Sequence, residues 1–188
     1  MFVSKSKINR LVGIALLSAI VVVLQLLGSF IRFGPVSISL VLIPIVVGAA
    51  VYGPVAGAVL GGVFGLVVLC QPDTAFFYGL NTFGTVITVM AKGILCGWLS
   101  GLVYRVCAKK NEIVAVILAA VVCPVVNTGV FFLGCVLFFW EGIAQVGGGN
   151  AFQYVITVMI GFNFLAELGA NIICAPVILR ILQAVRRK

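Results

Sequence analysis

Long apolar runs dominate this sequence and constrain its fold more than any other feature. Of the 188 residues, 63% are apolar and only 9% are charged, whereas soluble domains are close to half apolar and a quarter charged. A soluble fold could not remove that much apolar surface from water, but a lipid bilayer solvates it. At about 20 residues per span, the chain has room for about six or seven transmembrane helices with short loops. We therefore predict an all-α membrane protein with one integral membrane domain over residues 1–188.

Glycine and proline divide these apolar runs into six predicted helices. They cover about residues 11–31, 39–51, 54–69, 81–106, 113–140 and 152–185. Breaks are predicted at Gly34-Pro35, at Tyr52-Gly53-Pro54, after Gln71, and at residues 141–150. The first run is too long for a signal-peptide core and no A-x-A cleavage site follows it, so we treat it as the first helix. The second and third helices are short for full spans, as in transporters whose helices tilt or end inside the membrane, unless their boundaries are misplaced by a few residues.

The distribution of basic residues predicts the orientation of the helices. Ten of the twelve Lys and Arg residues lie before the first helix, around the connection between the fourth and fifth, or close to the C-terminus. In a six-span bundle these segments share one side, which the positive-inside rule identifies as cytoplasmic. Both termini are therefore predicted to be cytoplasmic, and the net charge of +8 needs no nucleic-acid partner. Arg32 and Lys92 are the exceptions.

Several kinds of catalytic chemistry lack the residues they need. The chain has no histidine, so Ser–His and Cys–His pairs and HExxH zinc sites are excluded. Asp73 is the only aspartate, which excludes a paired-aspartate protease, and no GxxxxGK[ST] motif could hold ATP. The six cysteines form no CxxC motif and are interpreted as packing residues. We therefore expect a protein that is not an enzyme and that carries no metal or cofactor.

Polar residues at membrane depth are the remaining candidates for function. Lys92 lies about ten residues into the fourth predicted helix, where a charge is costly unless it has a partner or a wet cavity. The other candidates recur at helical spacing on that helix, or lie on the fifth and sixth. Together they are Asn81, Thr85, Thr88, Asn127, Asn163, Glu167 and Asn171. Polar faces on three helices are what an enclosed hydrophilic site requires.

Two alternatives to a binding site are open. Lys92 and Glu167 could be a buried ion pair, with the amide side chains joining the helices. The pair could also exist without ligand and open when one arrives.

Stripes of small residues are interpreted first as sites of close helix packing within the chain. They are Ala15 with Ala19, then Gly53, Gly57, Gly61 and Gly65, then Gly93, Gly97 and Gly101.

These features together resemble the substrate-binding S components of energy-coupling factor (ECF) vitamin transporters. The resemblance covers essentially the whole chain. It rests on the size, six helices, the AxxxA at Ala15 and Ala19, and the stretch PIVVGAAVYGPVAG at residues 44–57. The segments CPVVNTG at 123–129 and NFLAELGAN at 163–171 are also similar to members without an assigned vitamin.

The resemblance implies a function and a set of partners. S components bind a vitamin or related micronutrient from outside the cell, dock on a membrane coupling protein that carries two ATP-binding subunits, and release the ligand inward. It also implies a bacterial plasma membrane and a role for Ala15 and Ala19 in contacting the coupling protein. Asn81, Lys92, Asn127, Asn163 and Glu167 fall in or near the pocket that the resemblance implies, with Phe33 and Trp140 as apolar lid contacts. Thr85 and Thr88, which share the helical face of Asn81 and Lys92, complete the predicted substrate-binding residues.

The identity of the ligand is a finer prediction. A single lysine in a polar pocket suits a ligand with one carboxylate, because a buried charge requires a counter-charge. Pantothenate has one carboxylate with hydroxyl and amide groups, so we predict pantothenate or another small carboxylate. If Glu167 already neutralises Lys92, a neutral ligand fits equally well.

Two other classes of function compete with a substrate-binding component: a membrane channel or scaffold, and an intramembrane enzyme. Copurification of ATP-binding subunits would separate an S component from both.

Overall fold

The computed structural model describes residues 5–28, 32–33, 36–37, 40–146, 150–156 and 161–186. Almost all of this is helical, because long apolar segments in a bilayer must satisfy their backbone hydrogen bonds internally. The helices are α1 (Lys5–Gly28), α2 (Leu42–Tyr52), α3 (Pro54–Leu69), α4 (Ala75–Leu80), α5 (Thr82–Cys107), α6 (Glu112–Gly134), α7 (Trp140–Val146), α8 (Ala151–Tyr154) and α9 (Phe162–Arg186). A 3₁₀ turn (Pro72–Thr74) precedes α4, and a π-helical turn (Cys135–Phe139) joins α6 to α7. Two-residue strands β1 (Arg32–Phe33) and β2 (Val36–Ser37) pair antiparallel.

Helix length and composition confirm a membrane protein built from helices. Within the described ranges, four stretches are long and apolar enough to span a bilayer: Lys7–Gly28, Thr82–Cys107, Glu112–Val146 and Phe164–Ala184. A fifth candidate combines α3 with the 3₁₀ turn and α4, although its two halves are bent by 75°. α2, with 11 residues, is short for a span. The structure thus supports four or five candidate spans, and six spans stay a prediction.

The predicted boundaries hold for some helices and are wrong for others. Pro54 and Leu69 bound α3 as predicted, whereas α1 begins and ends earlier than residues 11–31. The predicted loop at 141–150 is wrong in its first half, because apolar residues carry the helix through the π-helical turn to Val146. Similarly, the segment after Gln71 is not simply a loop, since it contains the 3₁₀ turn and α4. The sixth predicted helix corresponds to α8 and α9, and the predicted Gly34-Pro35 turn lies outside the described residues.

The glycine stripes of α3 and α5 face each other, which confirms their role in packing within the chain. A Cβ atom added to Gly57 would overlap the carbonyl of Gly97, and one added to Gly61 would overlap the carbonyl of Gly93. The two backbones therefore touch directly, as small residues allow in membrane helices. This contact fixes the position of the α5 face that carries Lys92.

We expect Gly61→Ala to lower the free energy of unfolding by about 2–3 kcal/mol, because the new methyl group overlaps backbone that cannot move aside. Gly62→Ala is the matched control. A Cβ there meets only Ile94 Cγ1 at 3.6 Å, an ordinary contact, and alanine favours the helix. Thermal unfolding of the two variants in detergent tests the contact. Equal melting temperatures for them would contradict the close α3–α5 packing.

Two polar contacts define the ends of the helix bundle. At one end, Arg10 Nη2 donates to the carbonyl of Tyr52 at 2.8 Å. At the other, Gln25 Nε2 on α1 donates to Gln71 Oε1 at 2.8 Å. We call the first the basic end, because Arg105 and Lys109, at the C-terminal end of α5, lie near Arg10.

Candidate functional site

Buried polar side chains lie on the inward faces of α5, α6 and α9. Each is 5% exposed or less, and burial of a polar group is costly unless it gains partners. The group consists of Thr85 and Thr88 on α5, Asn127 on α6, and Glu167 and Asn171 on α9. Hydrogen bonds bring Asn127, Glu167 and Asn171 together. Thr85 bonds to the Asn81 carbonyl, and Thr88 lies against Gly134 of α6.

Glu167 is the centre of this group. Its side chain is 1% exposed. The amide nitrogen Nδ2 of Asn127 donates to Glu167 Oε2 at 3.3 Å, which connects α6 to α9. Asn171 Nδ2 donates to the backbone carbonyl of Glu167 at 2.9 Å, one helical turn away. Both amide groups thus donate their hydrogens to Glu167.

The same side chains leave hydrogen-bond acceptors without partners. In the described part of the chain, the buried oxygens Asn127 Oδ1, Asn171 Oδ1 and Thr88 Oγ1 have no hydrogen bond. A buried polar atom left in this state costs about 1–3 kcal/mol. The site therefore presents two acceptors and a hydroxyl group to a molecule that can donate hydrogen bonds.

Lys92 is held by aromatic rings. Its ammonium nitrogen lies 5.6 Å from the ring centroid of Phe64 on α3 and 5.2 Å from that of Phe131 on α6. Glu167 acts on this charge electrostatically. Among the described residues, however, Lys92 has no hydrogen bond or direct ion pair. The contacts described for Lys92 are thus the two rings and the electrostatic attraction of Glu167, and its ammonium group has hydrogen-bond donors to offer.

An aromatic cluster covers the Lys92 region from the opposite end. Phe77 of α4 contacts Phe131 edge-to-face at 5.6 Å and Phe139 at 5.2 Å between ring centroids. Phe131 is the same ring that contacts Lys92. The π-helical turn places Phe139 inside the structure at 2% exposure, and such turns are frequent at functional sites. The 75° bend between α3 and α4 thus brings Phe77 over the site.

Asn81 and Thr85 have local structural roles. Asn81 is the N-cap of α5, where its Oδ1 accepts a hydrogen bond from the Gly84 backbone nitrogen at 2.9 Å. Thr85 Oγ1 donates to the Asn81 carbonyl at 2.7 Å. Both residues lie on the predicted polar face of α5, but these hydrogen bonds account for them without a ligand.

We expect Asn81→Ala to lower the free energy of unfolding by about 1 kcal/mol, and Asn81→Ser to retain most of the stability because serine also caps helices. Asn111 is a matched control, since its Oδ1 caps α6 by accepting from Ile113 and Val114. Thermal unfolding of both alanine variants should give similar losses. If Asn81→Ser were as unstable as Asn81→Ala, capping would not be the role of Asn81.

The remaining predicted residues are less informative. The side chains of Phe33 and Asn163 are not among those that the structure describes. Trp140, at the start of α7, is 38% exposed. Sequence reasoning missed Phe64, Phe131 and Phe77, although Phe131 follows Asn127 by one helical turn and so shares its face. No group of three or more Cys, Asp or Glu side chains in the described ranges could hold a metal ion.

Comparisons with known proteins identify the family. A search of curated proteins finds no match. A family model described as "ECF transporter, substrate-specific component" matches residues 9–179, which is most of the chain. The match includes the AxxxA on α1 and all the buried polar residues described above. The chain therefore belongs to the family of ECF transporter substrate-specific components, which bind the substrate in a multi-pass membrane transporter.

Proposed function

We propose that this chain captures a small vitamin-like molecule from outside the cell and passes it inward after docking on an ATP-driven module. Family membership supports a role as a substrate-binding transporter subunit, because the substrate-specific components of ECF transporters are transporter subunits. The observation that carries the proposal further is Lys92, a cation inside a predicted span whose described contacts are two aromatic rings. Such a charge is costly in a membrane and is expected to serve a function.

The proposed topology has six spans and both termini in the cytoplasm of a bacterium, with residues 1–188 as one membrane domain. In this arrangement α2 is the short second span, and α3 with α4 forms the bent third span. The concentration of basic residues at one end of the bundle supports the orientation. The opposite end, which carries Phe77 and the candidate site, then faces outward.

The proposed ligand is a small carboxylate such as pantothenate. Lys92 would hold the carboxylate, since its ammonium has donors without partners among the described residues. The unpartnered oxygens of Asn127, Asn171 and Thr88 would accept hydrogen bonds from ligand hydroxyl and amide groups. Pantothenate offers hydroxyl and amide donors in addition to its carboxylate. Asn163, Phe33 and Trp140 stay proposed contacts at the mouth of the site.

The proposed docking surface is on α1. Ala15 and Ala19 are both exposed and lie one turn apart on the same face. Exposed apolar residues Leu11, Leu16 and Val23 surround them. Because small side chains let helices approach closely, this face supports a contact with the membrane coupling protein that carries two ATP-binding subunits.

We expect the purified chain to retain a small carboxylic acid, and to bind added pantothenate in calorimetric titration without any ATP-binding subunit. Mass spectrometry of molecules released on denaturation identifies the retained ligand. A neutral retained molecule would reject the acidic ligand and leave the capture role intact. If neither a small molecule nor ATP-binding subunits copurified from native membranes, the capture role itself would be rejected, in favour of a channel or scaffold.

A further inference from the structure

A cavity of about 590 Å³ opens at the basic end of the bundle, away from the candidate ligand site. It lies where α1 passes the break between α2 and α3 and where α5 ends. Its lining includes Arg10, Tyr52, Val55, Arg105 and Lys109. The proposed import function does not use this cavity.

Three cations surround the cavity. The guanidinium of Arg10 is fixed at its edge by the hydrogen bond to the Tyr52 carbonyl, which uses one of its five N–H donors. Arg105, in the last turn of α5, and Lys109, in the turn that follows this helix, are both exposed and both line the cavity. Like charges that line one cavity repel each other. An anion between these side chains would relieve that repulsion, and guanidinium groups match the geometry of phosphate oxygens.

One carboxylate lies close to this region. Glu112 accepts a hydrogen bond from Tyr104, another lining residue, through Tyr104 Oη and Glu112 Oε1 at 3.2 Å. Glu112 itself is not part of the lining. With Arg10, Arg105 and Lys109 present, the surroundings of the cavity remain net positive even when Glu112 is included.

Part of the cavity lining is apolar. It includes Val51 and Val55, and Val55 is 67% exposed. In a chain that spans a membrane, such side chains face lipid. The cavity therefore combines a basic interior with an edge suited to acyl chains.

We propose that this cavity binds the phosphate of an anionic phospholipid, with its acyl chains on the exposed apolar surface at Val55. Basic pockets between membrane helices are known to take lipid headgroups. Free inorganic phosphate has the same charged group but makes no use of the apolar edge, so the lipid is the better fit. The proposal does not depend on the identity of the transported molecule.

The test is native mass spectrometry of the detergent-purified chain with added dioleoyl phosphatidylglycerol. We expect one saturable site for this lipid on the unmodified chain. Binding should be about tenfold weaker in the double variant Arg105→Gln/Lys109→Gln. The matched control is Lys110→Gln/Arg180→Gln, which removes the same charge from exposed positions outside the lining and should bind normally. Thermal unfolding in phosphatidylcholine shows whether each variant is folded.

Several results would overturn the proposal. Equal weakening in the two double variants would indicate general electrostatic attraction rather than a site. Equal binding of phosphatidylcholine would reject the anionic lipid. Displacement by inorganic phosphate at the same concentration as the lipid would identify a site for soluble phosphate. Loss of the copurifying coupling protein from Arg105→Gln/Lys109→Gln, with lipid binding unchanged, would assign the cavity to a protein contact.

Discussion

Replacing both Ala15 and Ala19 with tryptophan is expected to abolish uptake and to reduce copurification of the ATP-binding subunits at least about tenfold. Both alanines are exposed on α1, and the candidate site lies between α5, α6 and α9. Two indole rings one turn apart would hold a partner helix away, because close contact between membrane helices depends on small side chains. Ligand affinity of the purified variant should change by less than about twofold, since neither alanine belongs to the site.

The matched control places the same two indole rings on another helix. Val114 and Leu118 are exposed on α6 and, like the two alanines, are four residues apart. Val114→Trp/Leu118→Trp therefore places two indole rings at the same spacing on another exposed helix face and should leave the complex intact. For both double variants, we measure the amount of ATP-binding subunits that copurifies from native membranes and the affinity for pantothenate by calorimetric titration. If the Ala15/Ala19 variant retained its ATP-binding subunits, or if both variants lost them, α1 would not be the docking surface.

Much of the fold follows from the sequence because the strongest signals are one-dimensional. The length of the apolar runs predicts membrane helices, and Gly53-Pro54 marks the break before α3 because proline fits the first turn of a helix. The glycine stripes predict close packing, which the Gly61–Gly93 contact confirms. The helix through Glu141 to Val146 was missed because the three consecutive glycines at 147–149 predict a loop over the whole of residues 141–150, although glycines mark loops without fixing where the preceding helix ends.

The candidate site was only partly predictable for a different reason. Lys92 and Glu167 stand out in the sequence because charges in a membrane are costly. The rings around Lys92 do not stand out, since Phe64 and Phe131 are two phenylalanines among 14 in an apolar chain. Only the packing of α3 and α6 against α5 brings them together. Asn81 was interpreted as a ligand contact because its spacing matched the polar face, although an asparagine just before a helix is also a capping signal.

The contacts of Lys92 sharpen the test of its role. The direct contacts of Lys92 are aromatic rings, so Lys92→Met should cost about 1–2 kcal/mol of stability through the lost cation–π contacts, together with the lost electrostatic attraction of Glu167. Methionine keeps most of the length of the side chain and can pack against both rings. A direct ion pair with Glu167 would instead make the single variant strongly unstable, by about 3–5 kcal/mol. Melting temperatures of Lys92→Met, Glu167→Gln and the double variant separate these two cases.

Ligand affinity then decides whether Lys92 binds the substrate. We expect Lys92→Met to weaken pantothenate binding by about 2–5 kcal/mol, the cost of a lost buried charge partner, and Lys92→Met/Glu167→Gln to remain weak even though it folds. Pantothenol, in which a hydroxymethyl group replaces the carboxylate, is the control ligand and should bind Lys92→Met about as well as the unmodified chain. Calorimetric titration of both ligands completes the cycle. Recovery of pantothenate affinity in the double variant would mean that Lys92 only balances Glu167, and the argument for an acidic substrate would fail with it.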